Sequence, residues 1–273
     1  MSDDPGDECS SSDRKMFGEN ESASCAFGHL EWGHWASPAE RALLASASTP
    51  LEDARRAWRI HREFRRGFHE LRGLAPCVTV FGSARTREDD SHYALARRMG
   101  SALARVGLTV MTGGGPGIME AANRGAREAG GVSAGCNIRL PSEQKPNSYL
   151  DRWLEVRYFF VRKVLLLKYS AAFIALPGGF GTLDEILETA MLVQTGKILD
   201  FPLFLMGEEH WRPFAALFDE GLVARGLITA ADSQRLVLTD DVEAVVHCIR
   251  SCAARRFGMN LKVPGCAGAE PRC

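Results

Sequence analysis

Residues 76–120 read PCVTVFGSARTREDDSHYALARRMGSALARVGLTVMTGGGPGIME. Two short apolar runs, Cys77–Phe81 and Leu108–Thr112, flank a longer window whose apolar residues have helical spacing, and a glycine-bearing turn follows each run. A strand, a helix and a second strand in this order are typical of a βαβ unit. This stretch therefore predicts an α/β fold built on a parallel sheet.

The same alternation of strand-like and helix-like segments continues to about residue 255. It predicts a doubly wound, Rossmann-like parallel sheet with helices on both faces. The predicted strands are Cys77–Phe81, Leu108–Thr112, Val132–Ile138, Leu154–Tyr158, Ala172–Leu176, Leu203–Met206 and, as the weakest signal, Leu236–Leu238. The predicted helices cover about 89–106, 117–129, 160–169, 182–195, 211–224 and 240–254.

Three other segments flank this domain, which we place at residues 76–255. Residues 1–36 are rich in Ser, Asp, Glu and Gly without periodicity, a composition that predicts a disordered tail. Residues 37–75 predict an N-terminal helical extension, and Ser37-Pro38-Ala39-Glu40 has the pattern of a helix start. Residues 256–273 again have the composition of a tail.

The composition is that of a globular protein, with 45% hydrophobic and 25% charged residues among 273. Because 33 basic residues balance 34 acidic ones, the chain has no global field that would hold nucleic acid or an anionic membrane surface. Neither partner is expected. No apolar run reaches the roughly 18 residues of a membrane span, and the acidic N-terminus does not resemble a secretory signal or a transit peptide. A cytoplasmic location is expected.

The second helix of the extension, predicted from about Pro50 to Leu71, carries a basic face. Aromatic and aliphatic residues, among them Trp58 and Phe64, are interleaved with its arginines. The arginines are Arg55, Arg56, Arg59, Arg62, Arg65 and Arg66. Nucleic-acid binding is one interpretation of such a face, and a solvated or acid-paired face is the other. The balanced overall charge favours the second interpretation.

The eight cysteines include no CxxC motif, and we interpret them as reduced structural thiols. Cys248 and Cys252 share one helical face, and His29 and His34 lie close together in the tail. Neither pair is accompanied by further ligands at metal-binding spacing, so no metal site is expected.

Three glycine-rich turns that follow predicted strands carry the strongest functional signal. They are Phe81-Gly82-Ser83-Ala84-Arg85, Thr112-Gly113-Gly114-Gly115-Pro116-Gly117-Ile118-Met119-Glu120 and Pro177-Gly178-Gly179-Phe180-Gly181-Thr182-Leu183-Asp184-Glu185. Loops at the carboxyl ends of parallel strands line one crevice, so the turns are expected to converge. Glycine permits close backbone approach and the following helix offers free N–H groups, which favours a phosphate ligand. The turns lack GxGxxG and GxxxxGK[ST], which argues against a redox dinucleotide or NTPase site.

Charged residues near the third turn are candidates for acid–base chemistry and anion binding. Glu185 and Glu188, three residues apart, are expected on one side of a helix, with Asp184 pointing elsewhere. Acids in a first helical turn also favour the helix dipole without any chemistry. Arg162 and Lys163 interrupt the apolar stretch YFFVRKVLLLKY, so a cation there must reach a cleft or pair with an anion.

These motifs resemble the signatures of the LOG ("Lonely Guy") family, whose members were once labelled lysine-decarboxylase-like. The resemblance rests on GGGPGIMEAANRGA at 113–126, on Arg162-Lys163 and on PGGFGTLDE at 177–185, and it spans about 76–250. The form of the first motif and the helical extension are similar to the longer subgroup of that family. The resemblance implies hydrolysis of the N-glycosidic bond of nucleoside 5′-monophosphates to free base and ribose 5-phosphate. Cytokinin riboside 5′-monophosphates and nucleotides such as AMP are the implied substrates.

For the site, the resemblance implies two catalytic residues, Arg162 and Glu185. Glu185 would stabilise positive charge on the ribose and orient or deprotonate the attacking water. Arg162 would bind phosphate or ribose oxygens, and Lys163 would supply a second charge. The other implied substrate-binding or phosphate-binding residues are Ser83, Gly114, Gly115, Gly117, Met119, Glu120, Gly178, Gly179, Gly181 and Thr182.

The resemblance also implies a homodimer or higher homo-oligomer, because family members form their sites near a dimer interface. No cofactor is implied, since the lysines of the apolar helix, Lys163 and Lys168, do not have the setting of a pyridoxal phosphate Schiff base. A non-catalytic nucleotide-binding or molybdenum-cofactor-binding carrier on the same fold is the alternative. The joint presence of Arg162 and Glu185 favours the enzyme, and these motifs leave the preferred base undecided.

Overall fold

The computed structural model describes residues 43–44, 48–74, 76–139 and 145–258. The expectations for the tail at 1–36, for the helix start at 37–40 and for the chain beyond residue 258 lie outside the described residues. Within the described ranges, no helix combines the length and the apolar character needed to cross a bilayer.

Parallel strands form one sheet at the centre of the described chain. They are β1 (Cys77–Phe81), β2 (Thr109–Thr112), β3 (Ser133–Ile138), β4 (Arg152–Val156), β5 (Ser170–Ala175), β6 (Leu203–Leu205) and β7 (Leu236–Leu238). Their order is β4-β3-β2-β1-β5-β6-β7, and every neighbouring pair is parallel. The prediction of a parallel α/β sheet is confirmed, and each strand begins within two residues of its predicted start.

Helices connect the strands and cover both faces of the sheet. They are α1 (Pro50–Glu70), α2 (Ser91–Arg105), α3 (Ile118–Glu128), α4 (Phe159–Tyr169), α5 (Phe180–Gln194), α6 (Glu208–Ala216), α7 (Ala230–Ser233) and α8 (Val242–Phe257). The prediction of a single helix over 211–224 is wrong. The chain forms α6 and then a π-helical segment, Leu217–Val223. Pro213 lies inside α6 and has no N–H to donate, which weakens regular α-helical bonding near this point.

Two apolar clusters, one on each face of the sheet, form the core. On β1, Val78 and Val80 belong to one cluster, whereas Cys77 and Phe81 belong to the other, as the two-residue period of a strand requires. Helices α2, α3 and α8 pack on the first face. Helices α4, α5 and α6 pack on the second, where the partly buried Phe64 of α1 joins them.

Helix α1 begins with a capping box and packs against α4. The hydroxyl of Thr49 accepts a hydrogen bond from the amide of Glu52, whose carboxylate accepts one from the amide of Thr49. At the other end of the helix, Gly67 lies so close to Leu165 that a Cβ would overlap its side chain. The helical extension thereby contacts the element that carries Arg162.

The sheet topology places a crevice beside β1. From β1 the chain adds β2, β3 and β4 on one side, and it returns to add β5 on the other side of β1. In open parallel sheets, ligands bind outside the carboxyl ends of the strands at such a reversal of order. The turns after β1 and β5 are therefore adjacent.

Candidate active site

The three glycine-rich turns meet at the carboxyl edge of the sheet. The amide of Ser83, in the turn after β1, donates to the carbonyl of Pro177, which follows β5, at 2.9 Å. The carbonyl of Ser83 accepts from the amide of Ile118, the first residue of α3, at 3.1 Å. These two bonds join the first turn to the third and to the second. The expected convergence is thus observed.

A cleft of about 440 Å³ opens where the turns meet. This volume lies within the range of roughly 300–1,000 Å³ that holds small-molecule ligands. Of the residues that the resemblance implies for the site, Ser83, Met119, Arg162, Gly179, Gly181 and Thr182 line the cleft. Other lining residues belong to the three turns but were not named as site residues, Arg85 and Gly113 among them. Asn137, Ile138 and Phe159 also line the cleft and lie outside the turns.

The helix that begins at the third turn presents backbone amides to the cleft. Its first internal hydrogen bonds run from the amides of Thr182 and Leu183 to the carbonyl of Gly179, at 2.9 and 3.1 Å. No side chain caps this end, and a Cβ at Gly179 or Gly181 would meet no atom within 4 Å. An open, uncapped helix start of this kind favours an anion.

Arg162 is positioned by the main chain of β3 and lies against the turn after β2. Its Nε donates to the carbonyl of Cys136, on β3, at 3.1 Å. Its terminal nitrogen occupies the space that a Cβ at Gly113 would fill, and the Met119 sulphur lies 2.7 Å from the same point. A side chain at position 113 would therefore displace the end of Arg162 or of Met119, whereas glycine leaves the guanidinium group its place at the cleft wall.

Glu185 lies just behind the cleft, one turn into α5 from the lining residue Thr182. Its side chain is almost completely buried, with 4% of the residue exposed. Burial raises the pKa of Glu185 from 4.5 to about 7, against the opposing influence of the positive charges on Arg162 and Lys163. At neutral pH this carboxyl group is close to half ionised, which suits a group that exchanges a proton with a reactant.

Lys163 does not line the cleft. Its ammonium group bridges two acids of α5, with Nζ 2.8 Å from Asp184 and 3.0 Å from Glu188. The expectation that Asp184 points away from Glu188 is wrong, because residues four apart on a helix also share a side and one lysine binds both. Lys163 therefore stabilises α5 and adds positive charge beside Glu185.

The remaining implied residues shape the turns and are not part of the cleft wall. The carbonyls of Gly114 and Gly115 accept hydrogen bonds from Asn147, at 2.9 and 3.0 Å. Gly117 has a φ of +68°, and a Cβ there would overlap the carbonyl of Ser83. In the same way, a Cβ at Gly178 would overlap the side chain of Thr182. Glu120 accepts a hydrogen bond from the Tyr93 hydroxyl at 3.1 Å.

A buried polar network that the sequence interpretation missed supports the second turn. The Asn123 oxygen accepts from the Thr112 hydroxyl at 2.7 Å and from the Asn147 amide at 3.0 Å, and its nitrogen donates to Ser133 at 2.7 Å. Asn123 lies in the GGGPGIMEAANRGA motif. A polar side chain next to alanines in a predicted helix is the sequence feature that could have identified it as part of a buried network. Asn147 lies in an irregular segment without such a signal.

The described part of the chain contains no group of three or more His, Cys, Asp or Glu side chains placed to hold a metal ion. Of the two cysteines of α8, Cys252 contacts Arg255, whose terminal nitrogen lies 3.2 Å from the sulphur. The pair His29 and His34 lies outside the described residues.

The chain is similar in sequence to known proteins. A family model described as "Possible lysine decarboxylase" matches residues 119–249, which include both Arg162 and Glu185. A "Cytokinin riboside 5'-monophosphate phosphoribohydrolase" of Rhodococcoides fascians is 31% identical over 188 residues, which cover 67% of this chain and 93% of the relative. A rice (Oryza sativa subsp. japonica) protein named "Probable cytokinin riboside 5'-monophosphate phosphoribohydrolase LOG4" is 32% identical over 189 residues, or 67% of this chain and 80% of the relative.

The fold is also similar to that of a solved structure. The X-ray structure of the structural-genomics target TM1055 superposes with a TM-score of 0.51 at 25% identity. The superposition covers 64% of this chain and 99% of that one. This similarity agrees with the doubly wound sheet described above.

Proposed function

This chain belongs to the LOG family, and from that premise we propose that it is a phosphoribohydrolase that releases the free base from nucleoside 5′-monophosphates. One observation carries the proposal: a buried carboxyl group of raised pKa, Glu185, lies beside a guanidinium group at the wall of a cleft built from three glycine-rich turns.

The reaction requires a carboxylate close to C1′ of the ribose. Water attacks C1′ of the ribose as the bond from C1′ to the base nitrogen breaks. The water oxygen stays on C1′, and the base leaves with the bonding electron pair and takes up one proton. Positive charge develops on the ribose during this step, so a nearby carboxylate stabilises it and can accept a proton from the water. We assign this role to Glu185.

The cleft also offers groups for the 5′-phosphate and the ribose. The amides at the start of α5, with the hydroxyl of Thr182, would bind the phosphate, since a helix start favours an anion. Arg162, fixed by the Cys136 carbonyl, would bind phosphate or ribose oxygens through its terminal nitrogens. These two contacts would place the sugar beside Glu185.

The lysine chemistry named in the family description does not fit this site. A pyridoxal phosphate enzyme requires a lysine whose amine forms a Schiff base in the active site. No lysine is among the residues that line the described cleft. Lys163 is bound by two carboxylates, and Lys168 lies over the rings of Phe68 and Tyr169.

We further propose that the protein acts as a homodimer whose interface includes the outer faces of α4 and α5. These helices carry the two catalytic residues and also expose apolar side chains that a second copy would cover. The exposed fractions are 39% for Phe159, 44% for Val164, 48% for Leu187 and 52% for Met191. Large apolar side chains exposed on two helices beside a site are what contact with a second copy would remove from water.

The test is to incubate the purified protein with AMP and with isopentenyladenosine monophosphate and to follow the free base by chromatography, with Glu185→Gln as the matched blank. Release of base by the wild type alone is the expected result, and the ratio of the two rates identifies the preferred base. The hydrolase proposal is wrong if neither nucleotide yields free base. If a nucleotide nevertheless raises the melting temperature of the protein, the protein is a nucleotide carrier or sensor.

A further inference from the structure

A second groove, about 850 Å³ in volume, lies on the exposed side of α1. It has no lining residue in common with the candidate active site. One wall is formed by Arg59, Arg62, Arg65 and Arg66 of α1, and the other by Arg139 and Arg157 near the ends of β3 and β4. The hydrolase proposal gives this groove no role, and α1 lies outside the residues that the family model matches.

The groove has a positive charge that its own acids do not neutralise. Two glutamates line it, and each is paired: Glu155 with Arg139, at 2.5 Å, and Glu63 with Arg157, at 3.3 Å. Within the described ranges, the four arginines of α1 that line the groove form no ion pair. All four are exposed, so of the two forms of the alternative, a solvated or an acid-paired face, they have the solvated one.

The spacing of the α1 arginines places three of them in a line along the helix, which we call the arginine track. Arg59, Arg62 and Arg66 are three and four residues apart, so they share one face of α1 and extend over about 10 Å at a rise of 1.5 Å per residue. A compact anion with one or two phosphates would reach only part of such a track. A ligand that carries phosphates at regular intervals would contact all of it.

An exposed aromatic ring lies in the same groove. Trp58 is 60% exposed, and its ring stacks on that of His61 with a centroid separation of 5.3 Å and an interplanar angle of 22°. Leaving a tryptophan in water forgoes a large hydrophobic gain. Aromatic rings beside a line of cations are the elements by which proteins bind single-stranded nucleic acid, because unpaired bases stack on them.

We propose that this groove, defined by the four α1 arginines and Trp58, binds single-stranded nucleic acid. The phosphate backbone follows the arginines and a base stacks on Trp58. The balanced net charge predicted no nucleic-acid partner, but net charge is an average over the whole chain, whereas binding depends on the local field. The inference is independent of the hydrolase proposal.

The test measures fluorescence anisotropy of a labelled single-stranded RNA of about 12 nucleotides titrated with the full chain. The groove variant combines Arg59→Gln, Arg62→Gln and Arg66→Gln. The control variant removes the same charge elsewhere, at three exposed arginines: Arg98→Gln, Arg105→Gln and Arg225→Gln. Melting temperatures of both variants show that they fold.

We expect the groove variant to lose at least about tenfold in affinity and the control variant less than about twofold. Each phosphate contact on a single strand contributes about 0.7 to the slope of log K against log salt, so the slope should flatten by about 2 in the groove variant. Trp58→Ala should weaken binding roughly tenfold, and Trp58→Phe should restore most of it, as stacking requires.

Three results would overturn the proposal. The first is equal affinity of the groove and control variants. The second is equal competition by duplex RNA, which offers no unstacked base to Trp58. The third is equal competition by inorganic polyphosphate at the same phosphate concentration, which would make the groove a site for a free polyanion.

Discussion

The guanidinium of Arg162 occupies the space that a Cβ at Gly113 would fill. The two residues lie on different elements, Arg162 on α4 and Gly113 in the turn after β2. The hydrogen bond from Arg162 to the carbonyl of Cys136 holds the group in place. In the proposed function, glycine at position 113 provides no chemistry but leaves room for the guanidinium of Arg162.

Gly113→Ala should lower kcat/KM at least tenfold, because the new methyl group displaces the guanidinium. Free-base release measured by chromatography checks this. Gly221→Ala is the control, since its nearest atom is the movable end of Leu217 at 3.1 Å, and it should keep near wild-type activity. Full activity of Gly113→Ala would show that the position of Arg162 over this glycine is unimportant.

Glu185→Gln should lower kcat by roughly 10²–10⁴, the usual contribution of a positioned acid or base. The fold should be retained, because glutamine has nearly the same shape. Glu188→Gln changes a neighbouring acid that is bound to Lys163 and should lower kcat less than about threefold. Turnover by Glu185→Gln above about a tenth of the wild-type rate would remove Glu185 from the proposed role.

The stability of the protein should fall with pH as Glu185 ionises. The pKa of this group is about 7 when folded and 4.5 ordinarily, so the folded state binds the proton more tightly between these values. Its contribution is complete below about pH 4.5 and is lost as pH rises through about 7, a change of roughly 3 kcal/mol at 1.36 kcal/mol per pKa unit.

Glu185→Gln should therefore become more stable relative to the wild type as pH rises from 5 to 8. Urea unfolding of both proteins at the two pH values measures the difference. Glu188→Gln, whose parent residue is more exposed, serves as the comparison. A stability difference between Glu185→Gln and the wild type that does not depend on pH would show that Glu185 titrates normally.

Asn147→Ala should destabilise the fold by about 2–3 kcal/mol. The substitution leaves the buried oxygens of Gly115 and Asn123 without the amide that donates to them. Gln194→Ala is the control, because that exposed amide donates to Asp232 at 3.1 Å and its loss should cost less than about 0.5 kcal/mol. Equal unfolding midpoints for the two variants would rule out a structural role for Asn147.

The double substitution Leu187→Glu and Met191→Glu should convert the proposed homodimer to monomers, because each places a charge on the apolar face of α5. Sedimentation velocity measures the change. Leu227→Glu alters a residue that is 66% exposed and lies outside this face, so it should leave the assembly intact. Sedimentation of the wild type as a monomer would contradict the dimer.

Several parts of the candidate site could be predicted because their signals are local. A glycine-rich turn between a strand and a helix is visible in nine or ten consecutive residues, so the three turns and the start of α5 were identified. Arg162 was identified because a cation in an apolar helix needs a partner. Asn137 and Phe159 were missed because their place at the cleft depends on how α4 and β3 pack together.

The sequence by itself determined the succession of strands and helices along the chain, since periodicity and turn residues depend on neighbours within about ten positions. Only the tertiary structure decided which charged groups are buried, which are paired and which have a shifted pKa. Glu185 and Glu188 lie three residues apart on the same helix, yet Glu185 is buried with a raised pKa and Glu188 is bound to Lys163. Likewise, the arginines of α1 form a groove only because β3 and β4 supply its second wall. Desolvation and electrostatic pairing depend on which distant residues come together, and no local pattern contains that information.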